Sequence, residues 1–372
     1  MADRLILHIG TQKSGTTYLQ RILQNLSPRL RKSGVLYPIR LVGKRQVLNH
    51  EAAAYGLLGT AAFPWVPPHR AQAQTEAWTA LVDKVRRWDG TAIVSGEALS
   101  VIDADAAARL VESLGVPKTQ IVITARDLGR VLPSSWQQHI RNGRSTAFTT
   151  YLRQLERLRG DGGVSERRAE WERDPEQTFW RAYAIGSLAD RWSRLAESVH
   201  VVGVPRRGGD PDELWHRFIR GIGIDDVAPQ TPPMVDSVSA NIGITEPETL
   251  VLASLNRALD ATDLVESRRR AIRGRIVREA FVPRPDRGRR VVLPEEWGPR
   301  VSAWAEEDLE ELQATGAYLH TDPTDLLVDP EAVSTGAPSP DQIADAAGVA
   351  LALLGAAIPE EQPEQKRGRR RP

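Results

Sequence analysis

The sequence predicts an α/β fold: a doubly wound, mostly parallel sheet flanked by helices. Three observations predict it. Short apolar runs at Leu5–Ile9, Ala92–Ser95, Gln120–Ala125 and His200–Val204 read as buried strands. They alternate with stretches of helical periodicity through about residue 204, the pattern of a parallel sheet covered on both faces. The first run leads through a glycine-bearing loop directly into an amphipathic helix, the place where such sheets bind phosphates.

In chain order, Leu5–Ile9 forms the first strand, and residues 16–31 form a helix with Leu19, Ile22, Leu23, Leu26 and Leu30 on one face. Gly34 ends that helix, and Val35–Tyr37 gives a second strand. Pro64, Pro67 and Pro68 make 60–70 a loop, and 74–88 is helical. After the strand at 120–125 a helix starts near Leu128 or at Pro133, which would kink it in the earlier case. The polar, glycine-bearing segment 158–176 reads as a mobile loop or lid, and 178–197 as one helix. Helices at 211–223, 245–260, 266–280 and 294–313 make the later chain a helix-rich cover. One domain over 1–328 is expected, with a Pro- and Gly-marked linker at 329–340, an amphipathic helix at 341–358 and a basic tail at 359–372.

Composition narrows the function. With 372 residues, 41% of them hydrophobic, the chain can bury a sizeable core. A net charge of +1 gives no reason to expect a nucleic-acid partner. There is no cysteine, which excludes disulfides, cysteine-ligated metals and a cysteine nucleophile. The histidines (8, 50, 69, 139, 200, 216 and 320) show no metal-ligand spacing, so no metal is expected. The apolar run in MADRLILHIG is too short for a signal peptide, and no stretch is long enough to span a bilayer, so a cytoplasmic location is expected. Lysine occurs only at 13, 32, 44, 84, 118 and 366 in an arginine-rich, bacterial-looking composition, which makes Lys13 stand out.

Gly10-Thr11-Gln12-Lys13-Ser14-Gly15-Thr16-Thr17 lies between the first strand and the first helix, where free N–H groups at a helix N-terminus point at an anion. Gly15 permits close backbone approach, and Thr16 and Thr17 add hydroxyls. Gly10 and Gly15 have the spacing of the nucleoside triphosphate loop, but Thr16 stands where that loop has its lysine. The lysine comes two residues before Gly15 instead, facing the terminal group of a shorter, diphosphate-like anion.

Lys13-Ser14-Gly15-Thr16-Thr17-Tyr18-Leu19 resembles the 5′-phosphosulfate loop of the sulfotransferases that use 3′-phosphoadenosine 5′-phosphosulfate (PAPS), whose pattern is K-[ST]-G-T-[TS]-x-L. The resemblance implies a P-loop-like fold, PAPS as sulfuryl donor, adenosine 3′,5′-bisphosphate as product, and Lys13, Ser14, Gly15, Thr16 and Thr17 as its phosphosulfate site. That family places an arginine at the end of a later strand and a serine eight residues on, both at the 3′-phosphate; Arg126 and Ser134 match. An arginine suits this task because its planar fork donates two parallel charge-assisted bonds. Arg130 either assists at that site or is simply a solvated helix residue, and the late run Arg287-Gly288-Arg289-Arg290 reads as a solvated loop.

Transfer to a hydroxyl or amine needs a base as well as a cation at the leaving phosphate. Lys13 supplies the cation. Glu97, in Gly96-Glu97 just past the C-terminal end of a strand, is the expected base, resembling a Gly-Glu pair of the tyrosylprotein branch. His50 is the runner-up and reads otherwise as a surface histidine; His8 reads as a satisfied core residue and His139 as structural. The acceptor surface is expected from 46–75 and 143–180, with Trp65, Trp136, Phe148, Trp171 and Trp180 lining a carbohydrate or small-molecule pocket or filling the core. A small-molecule kinase and a non-catalytic anion-binding relative are the alternatives. A dinucleotide-binding dehydrogenase is disfavoured, since no G-x-G-x-x-G follows a strand.

Overall fold

A computed structural model of the chain describes residues 1–356 apart from 43–44, 47, 207, 209, 235–242 and 335. The expected basic tail and the last residues of the expected 341–358 helix lie outside the described residues. In chain order the elements are β1 (Arg4–Gly10), α1 (Thr16–Lys32), β2 (Val35–Leu36), β3 (Leu41–Val42), β4 (Arg45–Gln46), α2 (His50–Ala62), α3 (Pro68–Gln72), α4 (Thr75–Arg86), β5 (Thr91–Ser95), α5 (Ala104–Leu114), β6 (Thr119–Ala125) and α6 (Leu128–Arg141). There follow α7 (Phe148–Arg159), α8 (Val164–Arg173), α9 (Thr178–Tyr183), α10 (Ile185–Ser193), β7 (Ser198–Gly203), α11 (Glu213–Ile222), α12 (Glu246–Asp260), α13 (Glu266–Arg275), β8 (Leu293–Pro294), α14 (Gly298–Ala314), β9 (Tyr318–Leu319), β10 (Val333–Ser334) and α15 (Pro340–Gly355).

The chain divides into two compact units, one of residues 1–135, 147–241 and 292–335, the other of 136–146, 242–291 and 336–372. The first holds a six-stranded sheet in the order β2-β5-β1-β6-β7-β9, parallel at every pairing. From β1 the chain goes to β2 at one edge and returns to β5, which fills the place between them, and then crosses to β6, β7 and β9 on the other side. Strand order reverses beside β1, and the C-terminal strand ends at such a reversal are the usual ligand position in an open α/β sheet. Register sets Gly10 level with Thr124 and His8 level with Ser95, so the loops after β1, β5 and β6 leave the sheet side by side.

Both sheet faces are covered, as the apolar runs require. On one face Ile6, Val122 and Val202 pack with Leu19, Ile22, Leu23 and Leu30 of α1 and with Phe218, Ile219 and Ile222 of α11. Fully burying each such side chain stabilises by about 1.5–3 kcal/mol, so α1 is held by its apolar stripe. Residues of the opposite set, Leu5, Leu7, Ile121 and Ile123, are equally buried, and α10 packs on β6 and β7 through a helix in which Leu188, Ala189 and Trp192 are buried. In the second unit α15 packs against α12 and the π-helical turn Ile276–Phe281. No described helix is long and apolar enough to cross a membrane.

Several expected elements differ. The segment 158–176, expected as a loop, contains α8, whose Val164 and Trp171 stand two turns apart on one buried side. The helix expected over 178–197 breaks at Ala184 (ψ 89°) into α9 and α10. Both pieces are buried nearly all round, so periodicity marks no boundary there. The helix expected over 266–280 changes to π-helical bonding at Ile276. In the expected linker, a short turn at Pro330–Ala332 leads into β10, which pairs with β8.

Candidate functional site

β1 ends at Gly10, and a Cβ there would overlap the Thr16 side chain, so glycine lets the start of α1 sit against the strand. The intervening loop passes through two left-handed residues, Gly15 (φ 83°) and Lys13 (φ 69°), the latter the one non-glycine residue with positive φ among the described residues. Holding a side-chain-bearing residue there costs about 1–3 kcal/mol, a strain typical of functional turns. No side chain caps α1, so the N–H groups of its first turn are available to an anion.

Two hydroxyls expected at the anion are committed elsewhere. Buried Ser14 Oγ donates to Thr11 O (2.6 Å) and meets Thr124 Oγ1 (2.8 Å) beneath the loop. Thr16 Oγ1 donates to Glu97 Oε2. Thr17, in the first turn of α1, is exposed, and Lys13 is half-buried in the loop.

Arg126 closes β6 and donates from Nη1 to Lys13 O at 3.4 Å, which brings the second predicted cation onto the loop. Ser134 lies half-buried in the second turn of α6. The α6 start is capped by buried Asp127, whose Oδ1 accepts from Arg130 N–H (2.9 Å). Arg130 is not solvated but buried: it pairs with Asp127 and donates to Pro205 O (2.9 Å) and Val204 O (3.1 Å). The run at 287–290 is likewise not simply solvated, since Arg287 pairs with fully buried Glu248 (2.7 Å) and Arg289 with Glu246 (2.5 Å).

Glu97 opens the 3₁₀ turn Glu97–Val101 that follows β5. Burial raises its pKa, the Thr16 hydrogen bond opposes that, nearby Glu51 adds to the rise and Lys13 offsets part of it. Glu51 braces the same turn: its Oε2 accepts from Ala98 N–H (2.9 Å) and its Oε1 from the Tyr55 hydroxyl (2.6 Å). Tyr55 is also bonded by Trp65, which is 50% exposed. Buried Tyr183 donates to Gln12 O (3.2 Å) and lies in the field of both Glu97 and Arg126. From behind, Arg181 donates to Val101 O (3.1 Å) and Arg191 to Ser100 O (3.2 Å), anchoring the far end of the turn.

Lys13, Gly15, Thr16, Arg126 and Glu97 thus share one strand-end region; His50 is held apart from their chemistry. It is 5% exposed, not on the surface. Its Nε2 meets Pro38 O at 2.7 Å and its Nδ1 accepts from Ser95 N–H at 3.2 Å. Burial lowers its pKa to about 4, and with both nitrogens engaged it has no lone pair to offer an acceptor proton. Trp136, Trp171 and Trp180 are core residues, which leaves Trp65 as the exposed tryptophan of the expected pocket set. The sequence reading missed Glu51, Tyr55 and Tyr183. Asn49 before the alanine-rich run was a usable signal for the first two, since its side chain caps α2 and places Glu51 and Tyr55 one turn apart. Among the described residues Asp210, Glu213 and His216 also bring ligand-type atoms within 4.8 Å, a grouping the linear spacing did not suggest. No protein-family model and no curated protein matches the chain.

Proposed function

We propose that this protein transfers a sulfuryl group from PAPS to a hydroxyl or amine of a carbohydrate or small-molecule acceptor, on a P-loop-like scaffold. The observation that carries the reading is the convergence of three strand-end groups: Arg126 bonds the carbonyl of Lys13, and Thr16 of the same loop bonds Glu97. The donor set fits the ligand. An uncapped helix start, a loop lysine and the loop N–H groups suit a 5′-phosphosulfate, and the Arg126 fork with the Ser134 hydroxyl suits a 3′-phosphate. When bound, PAPS supplies the sulfuryl group and a phosphate leaving group.

Each residue then has a separable task. Lys13 neutralises charge gathering on the leaving phosphate. The α1 N–H groups and Thr17 orient the anion. Glu97 takes the acceptor proton, and its raised pKa makes it a better base than an exposed glutamate. A kinase reading is weaker because Thr16 occupies the position of the phosphate-binding lysine and is bonded to Glu97.

Thermal unfolding with adenosine 3′,5′-bisphosphate, ADP or Mg·ATP tests the proposal. Ligand at a hundred times its Kd stabilises by about 2.7 kcal/mol, or about 3–5 °C for a protein of this size. A shift with the bisphosphate that Arg126→Ala abolishes is expected. A shift with Mg·ATP alone would overturn the proposal in favour of a kinase, and no shift with any of the three would favour a non-catalytic relative.

A further inference from the structure

Beneath the anion loop runs a buried polar chain whose hydrogen-bond directions can be worked out link by link. Ser14 has one hydroxyl proton and gives it to Thr11 O (2.6 Å), so at 2.8 Å it accepts from Thr124 Oγ1–H. Thr124 has then spent its proton, so its contact with His8 Nε2 (3.2 Å) requires Nε2 to be the donor. His8 is fully buried on β1, packs edge-to-face with Phe218 (4.9 Å between ring centroids), and is kept neutral by burial, which lowers its pKa to about 3. A neutral ring protonated on Nε2 accepts on Nδ1, so the Ser95 hydroxyl donates there (2.8 Å). Ser95 Oγ in turn accepts from Gln20 Nε2 (3.1 Å). Every hydroxyl donates once, and one imidazole tautomer satisfies the whole chain.

The three strands joined by this ring are the ones whose ends carry Lys13, Glu97 and Arg126. We infer that His8 is a positioning residue: fixed as the Nε2–H tautomer, it bridges β5 and β6 across β1 and holds Thr124 and Ser14 so that the Ser14 hydroxyl stays under the loop, turned away from the anion. The tautomer and the loop geometry stand independently of which anion binds. The consequence for bisphosphate affinity rests on the proposed sulfotransferase reading.

Two substitutions of similar size separate positioning from simple packing. His8→Gln places an amide donor where Nε2 sits and keeps the link to Thr124. His8→Asn reaches only the Nδ1 position and keeps the link to Ser95. Stranding a buried hydroxyl network typically shifts an equilibrium about tenfold or more. His8→Asn is therefore expected to speed exchange of the Ser14 amide, which bonds Thr11 O at 3.2 Å, by about tenfold. His8→Gln should leave it within about threefold of wild type, a difference below the loss of one buried hydrogen bond. Equal changes in the two variants, tracking their loss of thermal stability, would overturn the inference. Nitrogen NMR of the wild-type imidazole decides it without any variant: the proton should sit on Nε2 and stay there between about pH 5 and 8, and a proton on Nδ1 would overturn it. Bisphosphate affinity is read last. If the wild type binds none, the sulfotransferase proposal falls while the tautomer and exchange results still judge His8.

Discussion

Glu97 sits in two opposing fields, with burial and Glu51 favouring its neutral form and Thr16 and Lys13 favouring its charge. That balance gives a testable pH dependence. In its proposed role of base, Glu97 must be ionised, and its pKa is raised above the ordinary glutamate value, so kcat should fall as pH drops through a value higher than an exposed glutamate would give. Glu51→Gln removes a neighbouring negative charge and should move that acid limb to lower pH. Glu97→Gln should lower kcat by about 10²–10⁴-fold while bisphosphate affinity stays near wild type, because glutamine still accepts from Thr16. Near-normal turnover in that variant would reject the assignment. Lys13, Arg126 and Glu97 were legible in the sequence because each follows an apolar strand, and a strand end in such a sheet faces the crevice. The commitments of Ser14 and Thr16 were not legible, since their partners Thr124 and Glu97 lie 110 and 81 residues away.

At the scale of the element, α1 has to begin close against β1, and Gly10 is what permits it. Gly10→Ala forces the Thr16 side chain and the anion loop to shift. Overpacking of this kind costs about 1–3 kcal/mol, and here it should also weaken bisphosphate binding, because the displaced turn carries the N–H groups. Gly348 in α15 makes the contrast: nothing lies within 4 Å of a Cβ there and the residue is exposed within a helix. Gly348→Ala should stabilise by up to about 1 kcal/mol, and chemical denaturation of both variants checks the pair. The strand and helix cores were readable because burial on two faces leaves a short continuous apolar run, and burial of one stripe leaves a helical period. The break at Ala184 leaves no such imprint, since the pieces on either side are buried nearly all round, polar Arg181, Ser187 and Arg191 included.

The topology of the whole first unit follows from the order in which strands join β1, and the alternation of strands with helices announced a parallel sheet without fixing that order. Its long-range ties are less visible still. Arg159, at the end of α7, is 2% exposed, and its guanidinium lies 4.6 Å from the ring of Trp180, 5.6 Å from that of Trp304 and 5.8 Å from that of Trp171. It pairs with Asp308 (3.0 Å) and Glu307 (2.9 Å) on α14, nearly 150 positions along the chain, so no local pattern could reveal it. One cation thereby connects α7, α8, α9 and α14. The pairing is incomplete, since Arg159 Nη1 and Asp308 Oδ2 are buried without a hydrogen-bond partner. Removing the arginine alone leaves Asp308 buried and uncompensated, so Arg159→Leu should cost about 3–5 kcal/mol. Replacing both partners removes the stranded charge together with its desolvation penalty. The double variant Arg159→Leu, Asp308→Leu should therefore recover most of that loss, and a double-mutant cycle by denaturant unfolding measures the coupling. Additive losses would mean that the tryptophan contacts, rather than the ion pair, hold these helices together.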